Sequence, residues 1–210
     1  MPDDHMKTSI SDRAVLRALV GDPLPAIANK ELPALEKHCR RFIELSPFLT
    51  IATIGADGHL DVSPRGGPPG FVKVLDDHTI AIPERPGNRR ADTLMALMQN
   101  PKVAVMFVIP GVQEILRLSG RAKVVRDGAL LGAMAVNGKA PKLAIKIAID
   151  HVFFHCGKAL TRSKLWDPAT HLKRSDYASF GEIIHDTRMS DDSVATIDAR
   201  IQNSYKNDLY

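Results

Sequence analysis

The chain has only two cysteines, Cys39 and Cys156, far apart and without the short spacing that brings thiolates onto one metal ion. Neither a disulfide framework nor a zinc centre can organise such a chain, so no metal site is expected. The expected state is two reduced thiols in the cytoplasm. Aromatic residues are scarce at 5%, with one Trp and three Tyr, too few for a surface that stacks bases. The net charge of +4 is scattered and forms no basic run interleaved with aromatics, so no nucleic-acid partner is expected. No apolar run reaches the length of a membrane span, and no membrane partner is expected. Residues 1–10 carry acids and no apolar stretch, unlike a signal peptide.

What remains is a chain with 44% hydrophobic residues, enough for a sizeable core, and a length that suits one domain with helical additions. Residues 11–20 read as a short helix ending at Gly21, 22–25 as a connector, and 33–45 as a second helix with Leu35, Phe42 and Leu45 on its buried face. Residues 1–47 are thus an N-terminal helical arm. From Phe48 the pattern turns to short strands: 48–54, 60–63, 71–75, 79–82, 102–109, 114–125 and one or two strands over 143–154. Residues 64–70 contain so many Pro and Gly that they read as a shaped loop. Gly120 marks a bulge or a close backbone approach. Short helices are read over 127–134, 157–165 and 194–205, the last within a polar tail, 167–210. There is no βαβ alternation, so the fold is mainly β with helices: an antiparallel barrel with peripheral α-helices.

The stretch that organises the rest is Pro83-Glu84-Arg85-Pro86-Gly87-Asn88-Arg89-Arg90. It lies between a strand and an apolar-faced segment, 91–100, that reads as a helix. Asn88 is a suitable N-cap, which puts Arg89 and Arg90 in the first turn. Cations are unfavourable there unless an anion sits between them, because the helix N-terminus already carries partial positive charge. Free N–H groups and two guanidinium groups together suit a phosphate. Ser63 and Arg65 end the second strand, where a hydroxyl and a guanidinium can meet a ligand. Arg117 interrupts an apolar strand, and Arg162, Ser163 and Trp166 form a further cluster, although a lone Trp is more often a packing anchor. His155-Cys156 supplies too few ligands for a metal and no triad for a nucleophile. Asp76 and Asp77 suit a turn. Arg, Ser and Asn clusters without an acid–base pair imply an anionic cofactor that carries the chemistry itself.

The segments Val62-Ser63-Pro64-Arg65-Gly66, Phe71-Val72-Lys73-Val74, Ile82-Pro83-Glu84-Arg85-Pro86-Gly87-Asn88-Arg89-Arg90 and Asn100-Pro101-Lys102-Val103 together resemble the pyridoxamine 5'-phosphate oxidase-like family of FMN-binding split barrels. Residues 117–122 and 154–166 are similar to a bacterial subgroup of FMN-dependent enzymes, and the likeness covers 48–166, the presumptive FMN-binding domain. The resemblance implies a homodimer with FMN held between subunits. It implies that Arg89 and Arg90 grip the phosphate, that Ser63, Pro64, Arg65 and Gly66 flank the flavin, and that Ile82 and Pro83 lie under the ring. Arg117, Arg162, Ser163 and Trp166 would also contact FMN, some of them that of the other subunit. The implied activity is FMN-dependent oxidation or reduction of a small molecule, with a nicotinamide cofactor or oxygen as electron partner. A non-catalytic protein on the same fold, holding FMN, haem or a deazaflavin, is the alternative. Gly67 replaces an acidic residue of close relatives, and the Arg-Leu end with which the true oxidases hold substrate is absent, so the substrate does not carry over.

Overall fold

A computed structural model of the chain describes residues 9–210, the side chain of Ala26 excepted. The chain divides into two compact units at Glu31/Leu32, ahead of the 47/48 boundary read from the sequence. The first unit carries α1 (Arg13–Val20) and α2 (Pro25–Ala28). Asp12 caps α1 by accepting from the Ala14 N–H at 2.6 Å, and Gly21, at φ 75°, ends it. The expected connector is in part helical: Pro25 opens α2, where its missing N–H costs nothing.

In the second unit α3 (Lys37–Leu45) begins later than the sequence pattern indicates. The Glu36 carboxylate caps it, accepting from the His38 and Cys39 N–H groups at 2.8 Å each. Cys39, Phe42 and Ile43 are buried in the main core, whereas Leu45, expected there, is exposed. The strands are β1 (Phe48–Ile54), β2 (Leu60–Gly66), β3 (Lys73–Asp76), β4 (Thr79–Glu84), β5 (Lys102–Val108), β6 (Ile115–Val125) and β7 (Leu143–His155). They form one seven-stranded sheet in the order β2-β1-β5-β6-β7-β4-β3, and every pair is antiparallel. Residues 64–66, read as loop, extend β2. Pro64 is tolerated because β2 is an edge strand, paired on one side only.

The long β6–β7 pair forms the back of the barrel. Its register shifts between Ser119 and Gly120, leaving Asp150 of β7 as the extra residue. Gly120 is needed there, because a Cβ at that position would stand 2.0 Å from the Ala148 carbonyl oxygen. The two strands serve different outer neighbours: β6 pairs with β5 over 116–121, and β7 pairs with β4 over 143–148. The inward rows Leu49/Ile51, Val103/Val105/Phe107, Leu116/Leu118, Ile145/Ile147 and Ile80/Ile82 build the core. Each fully buried aliphatic side chain contributes roughly 1.5–3 kcal/mol. A second cluster, Ala81 and Ala144 with Leu131 and Met134, seats α5 (Gly128–Ala133) on the sheet.

The sheet does not close. The Arg65 guanidinium of edge strand β2 reaches Glu84 Oε2 of β4 at 3.2 Å, although five places separate these strands in the sheet order. The sheet therefore curls back on itself and leaves a seam between β2 and the end of β4: the chain is a split β-barrel. α4 (Asp92–Gln99) packs on β1, β2 and β6, α6 (Lys158–Ser163) follows β7, and α7 (Phe180–Asp186) and α8 (Val194–Asn207) pack on each other. α7 was not apparent in the sequence; its Ser179/Glu182 capping box closes its first turn. No helix among the described residues is long and apolar enough to cross a membrane.

Candidate functional site

The register of β1 and β2 sets Asp61 opposite Thr53, Ser63 opposite Ile51 and Arg65 opposite Leu49. Directly opposed residues share a face. The inward row of β2 is therefore polar, Asp61-Ser63-Arg65, where the same row of β1 is buried. A cavity of about 640 Å3 opens along this row. Its other walls are Pro83 to Asn88 at the end of β4 and beyond, Ala91 to Thr93 at the start of α4, and Leu209 with Tyr210.

Six of the residues singled out in the sequence line this cavity: Ser63, Pro64, Arg65, Gly66, Pro83 and Asn88. Ile82 is fully buried in the core instead, beside Pro83. Asn88 does not cap the helix. Its Oδ1 accepts from the Arg90 N–H at 3.0 Å, an Asx turn, and the helix starts only at Asp92, with Ala91 at φ 58° in the capping position. Arg89 (φ 62°) and Arg90 therefore belong to the loop at the rim, exposed, and not to the first turn. The local competition of the Asn side chain for backbone groups is the physical reason.

Arg117, Arg162, Ser163 and Trp166 lie elsewhere. Arg117 projects from the outer face of β6 with its guanidinium 5.1 Å from the Phe153 ring centroid. Arg162 and Ser163 are exposed on α6. Trp166 donates from Nε1 to the Val112 carbonyl at 2.9 Å, as a packing anchor does.

Sequence reasoning passed over Asp61, Thr93, Leu209 and Tyr210, and gave Glu84 and Arg85 no role of their own within the stretch it named. Asp61 was legible by period two from Ser63; the tail residues carry no local signal. The cavity is tightly wired. The Arg65 guanidinium donates to Ser63 Oγ at 2.5 Å, to the Pro64 carbonyl at 2.9 Å and to Glu84. Its Nε is buried and has no hydrogen-bond partner among the described residues. Thr93, 3% exposed, donates from Oγ1 to Asp61 at 3.2 Å, and Arg90 Nε donates to Asp92 at 2.7 Å. Every carboxylate in the wall thus has a partner. The Asp92 contact holds Arg90 above its ordinary pKa, whereas burial lowers that of Arg85. Gly67 has a packing reason: a Cβ there would stand 2.8 Å from Phe71 Cβ.

The fold is thus a split antiparallel barrel with a polar cavity along its seam, Arg89 and Arg90 lying exposed in the adjoining loop. The sequence profile described as pyridoxamine 5'-phosphate oxidase matches residues 35–156, more than half the chain, and the protein belongs to that family. No curated protein matches the chain significantly. Solved structures similar in fold include a Lactobacillus delbrueckii protein named for pyridoxamine 5'-phosphate oxidase, 20% identical over 59% of this chain and 98% of that one, TM-score 0.47. An FMN-binding protein of Syntrophomonas wolfei is 13% identical over 55% and 86% of the two chains, TM-score 0.42. HutZ, the haem storage protein of Vibrio cholerae, is 16% identical over 58% and 94%, TM-score 0.41.

Proposed function

We propose that the protein is an FMN-dependent oxidoreductase acting on a small molecule, as a homodimer. The observation that carries the reading is the seam cavity lined by Arg65, whose buried Nε–H has no acceptor among the described residues. Its volume falls in the range of cofactor pockets. FMN fits this donor set. Arg89, Arg90 and the first free N–H groups of α4 suit its phosphate. Arg90 would exchange Asp92 for that phosphate. Ser63, Arg65 and the Pro83 edge suit the polar rim and the flat body of the ring. When bound, the flavin supplies hydride acceptance and return at its N5. The chain orients it, excludes water and, through Arg65, steadies negative charge on the reduced ring.

The outer face of the same strands supports a second subunit. Leu60 and Val62 of β2 are 67% and 66% exposed, and Phe48 of β1 is exposed as well. By register this outer face runs from Pro64 across Thr50 and Met106 to Arg117. A second copy laid on it would cover the apolar row and bring Arg117, and with it Arg162, Ser163 and Trp166, to the partner's cavity. A nicotinamide cofactor or oxygen would serve as electron partner.

The test is the visible spectrum of the purified protein, with the released chromophore compared to FMN. The Arg89→Ala plus Arg90→Ala variant is expected to lose FMN; a variant that still purifies yellow overturns the phosphate assignment. Partnering of all three wall carboxylates also supports a second reading, a binding protein without turnover. Haem in that role would need an axial ligand, and of the lining residues only Tyr210 has that chemistry. Re-oxidation of the reduced chromophore by an acceptor at catalytic rates separates the two readings.

A further inference from the structure

Arg85 joins three segments that are distant in sequence. Its guanidinium donates to the Met134 carbonyl at 2.5 Å and to the Lys139 carbonyl at 3.4 Å, and it lies 5.0 Å from the Tyr210 ring centroid. Lys139 Nζ in turn donates to the Tyr210 carbonyl at 3.1 Å. The anchor is stiff: Val136 and Lys139 exchange two backbone hydrogen bonds across a turn made by Asn137 (φ 51°) and Gly138 (φ 76°). The segment it holds is not. α8 ends at Asn207, and Leu209, 55% exposed, and the half-buried Tyr210 form the far wall of the seam cavity without joining the core. Among the described residues, polar contacts from Arg85 and from an exposed lysine, and not core packing, thus hold this cavity wall in place. Segments with so few buried contacts sit at the low-stability end of a fold and open locally.

We propose that Leu209–Tyr210 is a strap over the cofactor cavity: Tyr210 closes against the bound flavin and swings off Arg85 to let the flavin enter or leave. The inference rests on reading that cavity as the FMN site. The strap is a wall and not a ligand, so its removal changes how fast the flavin leaves more than whether it binds.

The experiment loads full-length protein with FMN and follows the recovery of free-flavin fluorescence on dilution, with iodide quenching of the bound flavin as a second readout. Tyr210→Ala is expected to release FMN at least tenfold faster and to expose it to iodide. Tyr210→Phe keeps the ring over Arg85 and is expected to behave as wild type. A Tyr210→Ala protein that binds FMN but releases it at the wild-type rate overturns the strap alone. A wild-type protein that takes up no FMN overturns the flavin reading and the strap with it.

Discussion

The inward rows of β2 and β7 show how one sheet supports both a core and a site. On β7 the row is Ile145, Ile147 and Ile149, buried among the aliphatics of four other strands and α3. On β2 the equivalent row is Asp61, Ser63 and Arg65, half-buried and wired by hydrogen bonds. The outer face of β2 has the opposite character, with Leu60 and Val62 toward solvent. The difference lies in position. A central strand, paired on both edges, turns an apolar row into the core, whereas an edge strand at an open seam can turn polar groups inward. The apolar packing is concentrated at the back of the barrel, and the inward polar groups at the split.

Substitutions can test this division. Gly120→Ala should have the largest effect, about 3 kcal/mol or more by chemical denaturation, because the new Cβ meets backbone that cannot move aside cheaply. Ile147→Ala should cost about 2–5 kcal/mol in the same measurement, since the cavity it leaves is closed on all sides. Glu84→Gln, at the seam, should cost about 1–2 kcal/mol by weakening the charged bond to Arg65, and should loosen cofactor binding as well. Ser63→Ala should lie within about 0.5 kcal/mol of wild type while reducing ligand affinity. If Ser63→Ala proves as damaging to stability as Ile147→Ala, the division is wrong.

The thiols give a further contrast. Burial pushes the Cys39 thiol up to about 11 from an ordinary 9.0, so it stays protonated at neutral pH, while Cys156 is exposed. Iodoacetamide is expected to label Cys156 in the folded protein and Cys39 only on unfolding. The folded state then holds a proton on Cys39 that the unfolded state gives up first. The associated stability is full below pH 9 and falls as pH rises from there through 11. The smallest effect is expected at the exposed Asp192–Arg200 pair, whose hydrogen bond lowers the Asp192 pKa: Arg200→Ala should leave the melting temperature unchanged within error.

The strands were legible because alternation of period two survives in a single sequence, as in Leu143 to Ile149. The end of β2 from Pro64 to Gly66 was not, because these residues read locally as loop and only their place at the sheet edge allows pairing. The same limit governed the site. Ser63, Arg65 and Pro83 stood out by residue type and position, and the structure brings them together. Asn88 misled because its side chain stabilises a turn as readily as a helix start. Tyr210 was beyond reach, since its place beside Arg85 is made by folding across 125 positions of sequence. Arg117 and Arg162 stood out by residue type alone, and neither lines the cavity.

The bulge at Asp150 has a mechanical consequence for the whole barrel. An extra residue sharpens the twist of the ribbon that carries it, and here the ribbon is the spine from which both flanks of the sheet hang. The gap at the front is thus set from behind, as the jaws of a spring clip are set by its bend. Lengthening or shortening that spine by one residue would resize the mouth without altering any residue that faces into it, so relatives could adapt to cofactors or substrates of different breadth by changes far from either.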